Sequence, residues 1–184
     1  MTRNVTNLSR PRSTRLRRAV VSMLLIGATV LGMSAFTNSA SAATVRRPDI
    51  ANAMLALMNA QRRAHHLPPL KMNAKLINSA YAHDRAMVSR NTMSHQVQSE
   101  ASFAQRIQAA RYSFRAAGEN IGWTTNVSSK GVLALQNYMY NEKAPANGHR
   151  LNILSSTFRE VGIDVTVDPR TGKVWFTEDF GRAR

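Results

Sequence analysis

The sequence Val161-Gly-Ile-Asp-Val-Thr-Val167, followed by Asp168-Pro-Arg-Thr-Gly172 and then by Lys173–Phe180, indicates the fold most clearly. Apolar and polar residues alternate in the first and third segments, which is typical of β-strands, whose successive side chains point to opposite faces. The segment between them contains proline and glycine, which favour a turn. Residues 161–180 are therefore predicted to form a C-terminal β-hairpin.

Upstream of the hairpin, apolar residues recur with helical spacing, as in Ile50, Met54, Leu57 and Met58. This first helix is predicted to begin at Asp49 as its N-cap and to end before Leu67-Pro-Pro-Leu70, because proline lacks the amide donor. Helices followed by a late antiparallel sheet give the α+β class. Three more helices are predicted to begin at residues that can cap them, namely Asn73, Ser102, and either Ser128 or Ser129.

Glycine and proline predict loops in two further segments. Ala116–Trp123 contains two glycines and is predicted to be a turn that leads into a short extended piece. Lys143–His149 contains a proline and an Asn-Gly pair, so it is predicted to be a loop. The chain has no internal repeats, and its length suits one domain with an appendage.

The appendage is predicted to be a secretory signal peptide over residues 1–42. Residues 1–18 contain six arginines and no acidic residue, residues 19–33 are uncharged and mostly apolar, and Ala40-Ser41-Ala42 is an A-x-A cleavage site. The alternative is an uncleaved membrane anchor, but the apolar run is shorter than the ~20 residues that span a bilayer. Arg17-Arg18 resembles a twin-arginine export signal.

Cleavage after Ala42 would leave a short flexible lead, residues 43–48, and one domain, residues 49–184. The whole chain has 25 Lys and Arg against 10 Asp and Glu, a net charge of +15, and loss of the six leader arginines lowers it to +9. The remaining positive charge is spread along the chain without a nucleic-acid-binding motif. Outside the cytoplasm it would meet anionic cell-envelope polymers or lipid head groups, or serve only as a solvated surface.

Several classes of protein are excluded by what the sequence lacks. The chain contains no cysteine, which excludes a disulfide scaffold, a thiol nucleophile and a Cys-ligated zinc site. It also lacks the H-E-x-x-H motif of zinc proteases and the G-x-S-x-G nucleophile elbow. An extracytoplasmic domain without cysteine depends on packing alone for its stability.

A series of short motifs follows in a fixed order along residues 52–181. The motifs are Asn59-x-x-Arg62, Leu67-Pro-Pro-Leu70, Ala82-His83-x-x-x-Met87, Ser94-His95, Arg106-Ile107, Gly118-Glu-Asn-Ile121, Gly148-His-Arg-x-Asn-Ile-Leu154, and Val174-Trp175 with Phe180-Gly181. Each motif alone is weak, whereas the ordered series is specific. It resembles the CAP superfamily of cysteine-rich secretory, antigen 5 and pathogenesis-related proteins, and in particular its short bacterial SCP-domain members.

The resemblance implies a three-layer α–β–α sandwich with a central antiparallel sheet and a surface cleft lined by two His and two Glu. The motifs carry these roles to His95, Glu119 and His149. The fourth, a Glu at a helix end, corresponds to Glu142, although Met139 stands where the family has Trp. His95 and His149 are the candidate metal ligands, and Glu119 and Glu142 are the candidate cofactor-binding residues.

Two imidazoles with carboxylates suit Zn²⁺ or another divalent metal. The same residues could instead form a hydrogen-bonded network that joins loops. We therefore expect an exported, non-catalytic binding module whose cleft holds a divalent metal or a small ligand; the alternative is a metal-assisted hydrolase using the same cleft.

Its ligand is expected to be a lipid, a glycan or an anionic cell-envelope polymer, with no specific nucleic acid and with membrane contact only through a retained signal. His83 is predicted to be a satisfied core histidine, and Trp123, Trp175 and Phe180 are predicted to pack in the core. For Trp123, which comes close after Glu119, the alternative is a position at the edge of the cleft.

Overall fold

The computed structural model describes residues 43–184, in which the chain forms five helices and five strands. The signal peptide predicted over residues 1–42 lies outside them. Among the described residues, no helix is both long enough and apolar enough to cross a bilayer. In chain order the elements are β1 (Val45–Arg46), α1 (Pro48–Ala64), β2 (Lys71–Met72), α2 (Ala74–Arg90), α3 (Phe103–Ala109), β3 (Phe114–Thr124), α4 (Ser129–Tyr140), α5 (Gly148–Ile153), β4 (Glu160–Asp168) and β5 (Lys173–Ala183).

The sheet is built around the predicted hairpin, which is confirmed as β4 and β5. Its strand order is β1-β4-β5-β3, and the neighbours in this order are antiparallel. The short strand β2 pairs with β4 in parallel, at the opposite end from β1. Within the described part of the chain, β3 is therefore an edge strand with one side open to other elements.

Helices cover both faces of this sheet, which confirms the predicted α–β–α sandwich. On one face, α1, α4 and α5 pack on apolar side chains of the hairpin such as Ile163 and Phe176. On the other face, α2 packs on β4 and β5, where Met87 contacts Trp175, and α3 packs against α2. Because both faces are covered, the polar positions of the alternating strands are also buried.

The predicted helix starts are largely confirmed. The side chain of Asn73 accepts hydrogen bonds from the first backbone amides of α2, and that of Ser128 accepts one from Gly131 in α4. Ser102 and Gln105 form a capping box at the start of α3. The first helix begins at Pro48 rather than after Asp49, with Arg47 at the cap position and Asp49 in the first turn.

Three segments differ from their predictions. Residues 116–123 are part of the eleven-residue strand β3 rather than a turn. The segment predicted to be a loop over 143–149 ends two residues earlier than expected, because α5 begins at Gly148. Within the predicted flexible lead, Val45–Arg46 pairs with β4, and Arg46 forms an ion pair with Asp164, which is only 2% exposed.

Candidate functional site

All four predicted site residues line one cleft of about 640 Å³ along the open edge of β3. Glu119 and Asn120 follow each other in this strand, so their side chains point to opposite faces of the sheet. The edge position lets residues from both helical layers reach the same cleft. Its lining consists of His95, Glu119, Asn120, Glu142, Ala146, Gly148, His149, Leu151 and Asn152.

The first His–Glu pair joins the loop before α3 to the edge strand. The Nδ1 atom of His95 lies 2.9 Å from Oε1 of Glu119, and the Arg106 guanidinium forms an ion pair with the other carboxylate oxygen. Arg106 also donates to the backbone carbonyls of His95 and Ala101 at 3.1 and 3.2 Å. The arginine thus holds both the carboxylate and the loop that carries His95.

Buried charge surrounds Glu119, which is 8% exposed. Burial alone would raise its pKa, but the hydrogen bond with His95 and the nearby charges of His83 and Arg106 outweigh that effect and lower it. Asp179 lies opposite Glu119 in the β3–β5 register and is fully buried. Burial and the charge of Glu119 raise the pKa of Asp179 well above its usual range, opposite to the direction in which the pKa of Glu119 is shifted.

The second His–Glu pair is formed between residues close in sequence. Nδ1 of His149 lies 2.6 Å from Oε1 of Glu142, and the backbone N–H of His149 donates to Oε2 at 3.1 Å. Glu142 follows α4 and His149 lies in the first turn of α5, where no side chain at the cap position accepts a hydrogen bond. The carboxylate therefore both orients the ring and satisfies a free amide at the start of this helix.

Two asparagines connect the pairs beneath the cleft. Asn152 donates to the carbonyl of Glu119 at 3.2 Å and to Oδ1 of Asn120 at 2.9 Å. Asn120 in turn donates to the carbonyl of His149 at 3.3 Å and to Oε2 of Glu178 at 3.0 Å. Burial raises the pKa of Glu178 to about 8, with the hydrogen bond from Asn120 acting in the opposite direction.

Comparison with known proteins agrees with this geometry. Residues 55–180 match the profile of the cysteine-rich secretory protein family, CAP. This chain belongs to the CAP family. The matched range runs from α1 to β5 and includes the whole cleft. The cysteines in the family's description have no counterpart here, because this member contains none.

Several relatives share the domain. YkwD, an uncharacterized protein of Bacillus subtilis, is 28% identical over 129 residues, which are 70% of this chain and 46% of YkwD. An extracellular SCP-domain protein of Bacillus anthracis is 30% identical with a TM-score of 0.60, covering 73% of this chain and 41% of its own. An outer surface protein of Borrelia burgdorferi has a TM-score of 0.65 at 15% identity, covering 77% and 98%, and shares the fold. The chain spans less than half the length of the two Bacillus proteins.

The donor set of this CAP cleft leaves two imidazole nitrogens for a divalent metal. Both imidazoles use Nδ1 for a carboxylate, which leaves Nε2 of His95 and His149 for a metal, as is usual for metal-binding histidines with a carboxylate behind them. Among residues 43–184, no three His, Asp or Glu side chains are grouped as a preformed metal site. The two histidines would therefore need water or ligand oxygens to complete the coordination.

The groups of the cleft that could act as nucleophiles are limited to its carboxylates and imidazoles. None of its lining residues carries a hydroxyl, a thiol or an amine. Ser94 precedes His95 directly, but its Oγ donates to the carbonyl of Gln96 at 2.8 Å and accepts from the backbone amide of the same residue. Ser94 therefore closes a local turn.

A smaller apolar hollow adjoins the cleft and agrees with the alternative for Trp123, a position at the edge of the cleft, rather than with packing in the core. Trp175 and Phe180 are buried as expected, but Trp123 is 39% exposed. Together with Met93 and Tyr138 it lines a hollow of about 170 Å³ that shares Glu142 and His149 with the cleft. Trp123 is thus a surface residue at the margin of the site.

The sequence analysis missed the residues behind Glu119. Arg106 was identified only as part of a family motif, without a role at the site. Phe103, Arg106 and Ile107 have helical spacing, which places a cation on the inward face of α3. That pattern was the signal in the sequence that could have identified Arg106 as a site residue. His83 is buried as predicted and its Nδ1 pairs with Glu100 at 2.9 Å. Within the described part of the chain its Nε2 has no hydrogen-bond partner, and it lies 4.0 Å from Glu119, so His83 is only half satisfied and belongs to the same charge network.

Proposed function

We propose that this CAP-family chain is an exported, non-catalytic binding protein whose cleft holds a divalent metal or a small ligand. His95 and His149 are the metal ligands in this proposal. Glu119 and Glu142 act through the imidazoles by fixing their orientation, which refines their assignment as cofactor-binding residues. When bound, the metal would supply a Lewis-acidic centre for a ligand oxygen or nitrogen.

The observation that carries the proposal is that the two histidines are oriented in the same way, each by a glutamate. Each ring is fixed through Nδ1 by a carboxylate, and both rings line one cleft. The Glu119 carboxylate is held by Arg106, and that of Glu142 also accepts from the backbone amide of His149. Such support is what a recognition site needs, because a ligand then binds without ordering the side chains first. The carboxylates and imidazoles of the lining are already paired with each other, which favours binding over their use as nucleophiles in covalent catalysis.

Two observations support the extracytoplasmic location. Residues 1–42 have the composition of a signal peptide. The Bacillus anthracis relative that shares 30% identity is described as extracellular. Export would place the cleft where it meets lipids, glycans or anionic polymers of the cell envelope.

The test is a Zn²⁺ titration by calorimetry on the full-length chain and on two double variants. The His95→Ala/His149→Ala variant removes the proposed ligands, and the His65→Ala/His66→Ala variant removes two exposed histidines outside the cleft. We expect saturable binding that is lost in the first variant and retained in the second. Loss in both variants, or no binding by the folded wild-type protein, would contradict the metal site and leave the four residues as a structural network.

The same proteins distinguish binding from metal-assisted hydrolysis. A panel of ester and peptide substrates is incubated with the zinc-loaded wild type, with and without a chelator. The proposal expects no turnover above the level of the His95→Ala/His149→Ala variant. Turnover that the chelator and the variant both abolish would show that the cleft is an enzyme active site.

A further inference from the structure

Five arginines are gathered at the end of the sheet where β3 begins, β5 ends and β4 begins. Arg115, Arg159, Arg182 and Arg184 line a surface hollow of about 360 Å³. A second hollow of about 290 Å³ contains Arg111 and shares Arg184 with the first. We name these five residues the arginine end of the sheet. It is separate from the His/Glu cleft, since Arg115 and Glu119 are about 13 Å apart along β3 at ~3.3 Å per residue.

An irregularity in the pairing of β3 with β5 determines the position of Arg115. Phe114 pairs with Ala183 and Ala116 pairs with Arg182, so Arg115 is an extra residue without a partner in β5. This is a β-bulge, a feature that redirects a side chain at the edge of a sheet. The Arg115 side chain is exposed, and neither it nor that of Arg182 makes a hydrogen bond within residues 43–184.

The positive charge at this end is not neutralised by neighbouring carboxylates. Among the described residues, none of the five guanidinium groups lies within 4.0 Å of an Asp or Glu oxygen. Glu160 is the one acidic residue that lines either hollow. Its carboxylate is already engaged, because Oε1 accepts from Asn73 at 2.7 Å and Oε2 from Tyr112 at 2.6 Å. A ligand with its own negative charge would meet little competition here.

We propose that the arginine end of the sheet is a second binding site, and that it takes the phosphate groups of a linear phosphate polymer. A guanidinium group matches the oxygens of phosphate with two parallel hydrogen bonds. Arginine rather than lysine at all five positions therefore favours phosphate chemistry over a general attraction to anions. The two adjoining hollows, which share Arg184, suit a ligand that carries phosphates in series.

The surroundings favour a polymer over a membrane surface. A peripheral membrane site combines positive charge with apolar side chains that enter the bilayer. The most exposed large apolar side chains among residues 43–184, such as Tyr138 and Leu151, do not line either hollow. Phe114, which lines the hollow with Arg111, is only partly exposed, so the arginine end offers charge and hydrogen-bond donors without a strongly exposed apolar side chain.

The test measures binding of short linear polyphosphate to the full-length chain and to two double variants of equal net charge. Arg115→Gln/Arg182→Gln alters the proposed site without touching the cleft. Arg63→Gln/Arg90→Gln removes two exposed arginines at the ends of α1 and α2. Circular dichroism melts confirm that all three proteins are folded. Orthophosphate and vesicles of phosphatidylglycerol in phosphatidylcholine are the comparison ligands.

We expect the Arg115→Gln/Arg182→Gln variant to bind polyphosphate at least about tenfold more weakly, with a smaller dependence of binding on salt, since each lost phosphate contact lowers that slope by roughly one. The control variant should stay within about twofold of the wild type. Equal losses in both variants would overturn the site and leave only general charge attraction. Binding to anionic vesicles but not to polyphosphate would overturn the choice of ligand, and no binding to polyphosphate would overturn the proposal. None of these outcomes depends on zinc binding in the cleft.

Discussion

The two His–Glu pairs of the cleft differ in how far apart their members lie in sequence and in what stands behind them. His95 and Glu119 are 24 residues apart, and their carboxylate is buried among Arg106, His83 and Asp179. Glu142 and His149 are seven residues apart, and their pair lies at a loop and a helix start. The side chain of His95 is nevertheless the more exposed, 60% against 33% for His149.

This difference separates two ways of fixing a histidine. The first ring is held by a buried charge network that exists only when α2, α3 and β3 are assembled. The second is held by hydrogen bonds between two residues of one short segment, and these bonds also cap α5. We therefore expect substitutions in the first pair to lower the stability of the whole domain, and substitutions in the second pair to affect only α5 and the loop before it.

The largest effect is expected from Arg106→Met. The change leaves the Glu119 carboxylate buried without its guanidinium partner, and breaking a buried ion pair from one side lowers the free energy of unfolding by about 3–5 kcal/mol. The measurement is urea unfolding at neutral pH.

The double variant Arg106→Met/Glu119→Gln is the control for this change. Removing the carboxylate charge as well should make it no less stable than Arg106→Met alone, because the uncompensated charge is gone. Losses that simply add would show that Arg106 acts through its bonds to the carbonyls of His95 and Ala101 rather than through charge.

A pH-dependent effect is expected from Glu178→Gln, which lies behind the second pair. The pKa of Glu178 is about 8 in the folded chain against 4.5 for an ordinary glutamate. Between these values the folded chain keeps a proton that the unfolded chain releases, so the free energy of unfolding falls by about 1.4 kcal/mol per pH unit as the pH rises. The contribution is complete below 4.5 and lost above about 8.

Unfolding of the wild type and of Glu178→Gln from pH 5 to pH 8 checks this expectation. The variant lacks this contribution, so its stability relative to the wild type should improve steadily across the range. The other buried acids, Asp84 and Asp179, are present in both proteins and cancel in the difference. A difference that does not change with pH would contradict a protonated Glu178.

The smallest effect is expected from Glu142→Ala. This substitution removes the hydrogen bond to Nδ1 of His149 and one helix-capping acceptor, together about 1 kcal/mol of unfolding free energy. Hydrogen exchange should become faster at the amides of α5 and stay unchanged in β3. A loss as large as that of Arg106→Met would show that the second pair is also part of the global network.

The sequence predicted those parts of the molecule that depend on neighbouring residues. The hairpin and the Asn73 cap follow from alternation and from local side-chain hydrogen bonds, and both are confirmed. The four cleft residues came from the order of the family motifs, and the structure brings them to one cleft. Whether they bind a metal stays a prediction.

Strand β3 could not be predicted in the same way, because its glycines usually disfavour strands. Glycine is required at these positions because β3 packs closely against elements that are distant in sequence. A Cβ atom on Gly118 would lie 2.8 Å from Oδ1 of Asn152, and one on Gly122 would lie 2.7 Å from a ring carbon of Phe176. The buried partners of Glu119 were missed for a related reason, since Arg106 reaches the carboxylate only after α3 packs beside β3.

The short strand β1 sets a limit for protein engineering. Pro48 opens α1, so it looks like a natural first residue for a shortened version of the domain. Such a version would lack Arg46, the cation that pairs with the buried carboxylate of Asp164, and would lose the backbone pairing of Val45 and Arg46 with β4. A recombinant domain therefore has to begin before Val45, and tags or fusion partners are best joined upstream of that residue.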